Sequence, residues 1–71
     1  MLKAIFSKDG LIKNVWINPL NIVTVESSYK NEQNGILYTT VTDVCGRDLV
    51  IELSDSAIRI AIERALRLQG R

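Results

Sequence analysis

The sequence predicts an α+β protein: a small, mostly antiparallel sheet of four or five strands with one C-terminal helix packed on it. Short β-branched and aromatic segments separated by turn residues fill residues 2–53. The pattern then changes to helical spacing, which predicts a helix over about residues 55–69. The connections are short, as hairpins permit and parallel crossovers do not. We therefore expect residues 1–71 to form a single domain.

The first half of the chain predicts a hairpin followed by a further strand. Residues 2–7 and 11–17 have strand-like composition, and Asp9-Gly10 between them favours a tight turn because both residues tolerate positive φ. Asn18-Pro19 ends the second segment, since proline donates no backbone hydrogen bond. Residues 20–27 are rich in Ile and Val and contain no breaker, so we expect a central strand there.

The second half predicts two more strands and a polar hairpin loop. Residues 29–35 are polar and end in Asn-Gly, which indicates a loop. Residues 36–44 form the next predicted strand, and Cys45-Gly46 closes it. In residues 47–53, apolar side chains alternate with Asp48 and Glu52, which predicts a half-buried strand with three residues on its inner face: Leu49, Ile51 and Leu53.

The predicted helix has a clear start and two distinct faces. Ser54 is a good N-cap, and Asp55 places negative charge at the positive end of the helix dipole. The face expected to cover the sheet contains Ala57, Ile58, Ala61, Ile62, Ala65, Leu66 and Leu68. Arg59, Glu63 and Arg67 lie opposite at spacings of four, where Glu63 can pair with either arginine for about 0.2–0.5 kcal/mol.

Ile60 falls outside the apolar face and beside arginines. An exposed isoleucine is common and needs no cause, yet in so small a chain it also fits a contact with a partner or a second copy. We expect self-association through a sheet edge or this outer helix face. The residues predicted to contact a partner are Ile60, Arg64 and Arg67, with Trp16 as a weaker candidate.

The composition argues against an enzyme. The chain has no histidine and one cysteine, so Ser-His and Cys-His nucleophiles, imidazole metal sites and dithiol chemistry lack their residues. We expect no catalytic residue, no metal and no cofactor.

Nine basic and eight acidic residues give a net charge of +1, so nucleic-acid binding would need a local patch. No apolar run is long enough to insert into a membrane, and a lone cysteine suits a reducing compartment, which predicts a cytoplasmic protein.

Several short motifs are shared with a known family. Asn18-Pro19, Ile22 and Glu26 are followed by the Thr-rich segment 39–42 and then by Gly46 and Val50. In this order the chain resembles the small FlbD/SwrD family associated with bacterial flagella. The resemblance implies a small accessory protein in a motility context.

We therefore expect a non-enzymatic accessory or regulatory protein that acts by binding another protein. Two alternatives stay open. One is a small nucleic-acid-binding regulator that uses the helix arginines, and the other is a phage- or plasmid-encoded inhibitor of a host protein.

Overall fold

The computed structural model of the protein describes residues 1–7 and 12–69. These residues contain β1 (Leu2–Ser7), β2 (Ile12–Ile17), a 3₁₀ helix (Pro19–Asn21), β3 (Ile22–Val25), β4 (Tyr29–Lys30), β5 (Leu37–Asp43), β6 (Asp48–Ile51) and α1 (Asp55–Gln69). The α+β fold class is confirmed. The predicted Asp9-Gly10 turn lies outside the described residues.

The described strands form one antiparallel sheet in the order β2-β1-β6-β5-β3, and β4 also pairs with β5. Sequential neighbours make the hairpins, whereas β1 and β6 come from opposite ends of the chain. Their pairing sets Ala4 opposite Ile51 and Ser7 opposite Leu49. The first strand is therefore held on both sides, by β2 and by β6.

The connection from β2 to β3 shows that this sheet is curled. In a flat sheet of this order β2 and β3 would stand four spacings of about 4.8 Å apart, or roughly 19 Å. The chain from Ile17 to Ile22 includes a 3₁₀ turn rising only about 2 Å per residue, and it spans about 13 Å at most. The sheet must curl for its two edges to be joined so directly. The register of the ladders also shifts in β1, between Ala4 and Phe6, and in β3, between Ile22 and Thr24, as it does at a β-bulge.

The core lies on the concave face of the curled sheet. Its buried members come from four strands and the helix: Leu2, Ala4, Ile17, Val41, Leu49, Ile51 and Ile58, with Ile22, Val25, Ala61 and Ile62 packed against them. Residues from both edge strands, Ile17 and Ile22, meet in this cluster. The helix covers the cluster through Ile58, which is fully buried.

Three sequence predictions about the strands were wrong. Residues 20–27 do not form a central strand: the 3₁₀ helix takes the first two, and β3 lies at the sheet edge with Val23 and Thr24 exposed. An Ile/Val-rich composition fits any pleated surface, and it does not say which neighbours the strand has. Residues 29–35 are not all loop, because Tyr29–Lys30 pair with β5.

The third correction concerns β6. Leu49, Val50 and Ile51 are all buried, so this strand is covered on both faces, and Leu53 lies beyond it and is exposed. Leu49 and Ile51 belong to the core cluster, whereas Val50 points to the other face of the sheet, where its cross-strand partner Thr40 is also buried.

The start of α1 is anchored as the sequence predicts. The Ser54 hydroxyl accepts a hydrogen bond from the backbone N–H of Ala57 at 3.2 Å, which makes it the N-cap. Just before the cap, the carbonyl of Leu53 accepts a hydrogen bond from the buried Thr39 hydroxyl at 2.7 Å. This bond ties the β6–α1 connection to β5.

A buried carboxylate closes the turn between β5 and β6. Asp43 Oδ1 accepts from the backbone N–H groups of Cys45 and Arg47 at 3.0 and 2.9 Å, and its Oδ2 accepts from Arg47 Nε at 2.7 Å. The backbone N–H of Arg47 and then its guanidinium hold the pKa of Asp43 below its ordinary value of 3.8, against desolvation, which raises it. Gly46 completes the turn with φ +83°, a conformation that favours glycine.

Candidate protein-binding groove

The helix α1 packs on the sheet only through its first half. Ile58 is buried, and Ala61 and Ile62 pack against the core cluster. From residue 63 to residue 69 every helical residue is exposed except the half-buried Ala65. Fifteen residues at about 1.5 Å each make α1 roughly 22 Å long, so its last two turns extend beyond the core.

The extended part of α1 forms one wall of a groove of about 370 Å³. The lining residues from the helix are Ala61, Arg64, Ala65 and Leu68. Ala61 and Ala65 lie one turn apart on α1, and their side chains are single methyl groups. They leave space in the groove that larger side chains would fill. We call this depression the helix groove.

The opposite wall of the helix groove comes from the start of β1 and from the 3₁₀ helix. Its lining residues are Met1, Leu2, Asn18 and Pro19. Leu2 and Pro19 are buried, whereas Met1 is 75% exposed and Leu68 across the groove is 68% exposed. The groove therefore has a packed base and two large apolar side chains held in solvent at its rim.

The polar groups of the helix groove are hydrogen-bond donors. Among the described residues that line it, Arg64 has the one charged side chain. Asn18 Oδ1 already accepts from the backbone N–H of Leu20 at 3.0 Å, where it caps the 3₁₀ helix, so the side chain has mainly its N–H₂ group left to offer. None of the described residues that line the groove carries a side-chain carboxylate.

The helix around the groove carries more basic than acidic side chains. Within the described part of the chain the structure shows one ion pair, between Arg47 and Asp43. The pairs that the sequence allows for Glu63 with Arg59 or Arg67 are not formed. Asp55, the other helix carboxylate, accepts from the Ser28 hydroxyl at 3.2 Å at the far end of α1.

The structure divides the predicted contact residues among three surfaces. Arg64 lines the helix groove. Ile60, which is 50% exposed, and Arg67, also exposed, lie on the helix outside the groove lining. Ile60 is thus directed away from the core, as its place in the helical pattern predicts.

Trp16 lies on the other side of the sheet from the helix. It is 62% exposed and pairs across the β1–β2 ladder with Lys3, whose Nζ stands 6.0 Å from the centre of the indole ring. The neighbouring pair, Leu2 and Ile17, points into the core beneath α1. Because adjacent strand residues face opposite ways, Trp16 and Arg64 cannot form one contact surface.

The sequence interpretation missed most of the groove. It assigned Ala65, Leu66 and Leu68 to the face that covers the sheet. In the structure Leu66 is 55% exposed, and Leu68, at 68% exposed, lines the groove instead of covering the sheet. The helix has more apolar length than the sheet has surface to cover. The sequence carries no direct signal of this mismatch, because its pattern predicts a strand over residues 47–53, whereas β6 spans Asp48–Ile51.

Comparison with models of known families, with curated proteins and with solved structures finds no match to this chain. Among residues 1–7 and 12–69, no helix has both the length and the apolar character needed to cross a membrane. In the same residues, no three side chains of the His, Cys, Asp or Glu type are grouped so that they could hold a metal ion. The fold and the groove define a small α+β protein with a candidate peptide-binding surface.

Proposed function

We propose that this chain is a small, non-enzymatic accessory or regulatory protein that works by binding another protein. The observation that carries the proposal is the helix groove, whose base is packed and whose rim holds Met1 and Leu68 in solvent. Large apolar side chains beside a concave surface are typical of protein contact sites. A cytoplasmic location and a role in motility belong to the same proposal, and they depend on the sequence and on its resemblance to the FlbD/SwrD family.

The test uses a photo-crosslinking amino acid placed in the intact chain inside the cells that express it. Position 68 probes the helix groove, position 60 probes the outer helix surface, and position 32, in the exposed turn between β4 and β5, is the control. We expect a discrete adduct with a second polypeptide from position 68 or 60 and none from position 32. An adduct twice the mass of the chain from position 60 would support self-association through the outer helix face.

A nucleic-acid-binding regulator is the competing class, and the same helix arginines would carry it. Binding to phosphates weakens steeply as salt rises, whereas an apolar protein contact does not. Gel-shift assays at low salt with mixed RNA and DNA, using the wild-type chain and the Arg64→Glu/Arg67→Glu variant, separate the two. A shift that the double substitution abolishes, together with no protein adduct from any helix position, would overturn the proposal.

A further inference from the structure

We propose that the helix groove takes an acidic amphipathic segment of a different protein, one that presents apolar side chains over about two helical turns with Asp or Glu beside them. This inference rests on the proposed protein-binding function and names the partner chemistry of the same site. It follows from three properties of the groove: its length, its hydrogen-bonding groups and its charge.

The length of the groove sets the length of the segment. Along α1 the wall runs from Ala61 to Leu68, eight residues separated by seven steps of about 1.5 Å, and is therefore about 10 Å long. An amphipathic helix places its anchoring side chains at positions i, i+3 or i+4, and i+7, which cover the same distance. The volume of about 370 Å³ lies near the lower end of that of small-ligand pockets, about 300–1,000 Å³, and suits a few side chains.

The hydrogen-bonding groups select an acceptor. Arg64 offers five N–H donors in a planar fork and no acceptor, and it prefers a carboxylate. Asn18 has its oxygen engaged and its N–H₂ group remaining. A segment that brought its own Lys or Arg to this rim would face like charge, whereas Asp or Glu would find a donor.

Charge also argues against a second copy of this chain in the groove. The exposed helix of another copy would bring Arg59, Arg64 and Arg67 with only Glu63 to oppose them. Packing that surface onto the groove places arginine near Arg64, and like charges across an interface are costly. The occupant therefore comes from a different, more acidic protein.

The experiment selects binders from a displayed library of random 16-residue peptides against the full chain. We expect the enriched peptides to carry Leu, Ile, Phe or Met at spacings of three or four and an excess of Asp and Glu. Fluorescence polarisation of the best peptide then compares two matched pairs of variants. Arg64→Glu and Leu68→Ser change residues that line the groove, whereas Arg59→Glu and Leu66→Ser make the same changes at exposed positions of the same helix outside the groove.

We expect each groove variant to weaken binding by on the order of tenfold and each control by less than about twofold. Replacing the acidic peptide residue by lysine should weaken binding to the wild-type chain and restore part of it to Arg64→Glu. All four substitutions are at exposed positions, and circular dichroism verifies that each variant keeps its helix.

The outcomes that overturn this inference differ from those that overturn the proposed function. Peptides that bind Arg64→Glu and Leu68→Ser as tightly as wild type would place the binding site elsewhere and leave protein binding intact. Enriched peptides that are basic would refute the charge argument. A crosslink from position 68 to another copy of the chain would make the occupant a second copy.

Discussion

Ile58 is the most deeply buried side chain of α1, and replacing it by alanine measures how much its packing stabilises the protein. Ile58 is the one helix residue of the described chain that is fully buried. The substitution removes three carbon groups, worth about 0.8 kcal/mol each when buried, and leaves a cavity, for a total loss of about 3 kcal/mol. A chain of 71 residues has a free energy of unfolding on the order of 4–10 kcal/mol. This single change should therefore remove a third or more of the stability.

The matched control is Ile60→Ala, two residues away on the same helix. Both substitutions raise helix propensity equally, but Ile60 is half exposed, so we expect its free energy of unfolding to change by less than about 0.5 kcal/mol. Thermal unfolding followed by circular dichroism should show Ile58→Ala melting about 12–24 °C lower than wild type. Equal losses in the two variants would refute the packing argument. A loss for Ile60→Ala that grows with protein concentration would instead identify Ile60 as a contact between copies.

Three further predictions concern hydrogen bonds. Removing the N-cap with Ser54→Ala should cost about 1 kcal/mol in urea unfolding, whereas Ser56→Ala, in the exposed first turn, should be neutral or slightly stabilising. Thr39→Val keeps the shape of the side chain but leaves a backbone carbonyl without its donor, so a loss of about 1–2 kcal/mol is expected, against almost none for Thr24→Val on the exposed edge. Asp43 has a lowered pKa, so its stabilising effect is complete above its ordinary value of 3.8 and disappears as the pH falls through the lower folded value. Asp43→Asn should therefore lower the free energy of unfolding at pH 7 and make it fall less steeply than that of wild type below pH 3.8. If the free energy of unfolding of the variant fell as steeply with acid as that of wild type, this role would be contradicted.

Local chemistry predicted the elements of this fold well. The helix occupies Asp55–Gln69, its N-cap is Ser54, and among the described residues glycines occupy the two positive-φ positions, Gly35 and Gly46. Each of these features depends on interactions within a few residues, which the sequence displays directly. The same holds for Asn18-Pro19, where the asparagine caps the 3₁₀ helix that the proline begins.

The arrangement of the elements was less predictable, because it depends on which strands become neighbours. The sequence of residues 48–51 does not show that β1 will pair with them, and that pairing makes β6 a central strand. The groove was missed for a related reason. Whether Ala65 and Leu68 cover the sheet depends on how far the sheet extends beneath the helix. The spacing of apolar residues within α1 gives no information on that extent.

The placement of β1 between β2 and β6 also bears on how this chain is made. During synthesis on the ribosome, β1 can pair with β2 soon after both have emerged. Its other neighbour, β6, is complete only when residue 51 has been added. Truncation before residue 51 leaves the backbone N–H and C=O groups on one edge of β1 unpaired, and another truncated chain can pair with them. Fragments that lack the last third of the sequence should therefore aggregate instead of folding, and fusions or deletions are best planned outside the stretch that joins these two distant segments.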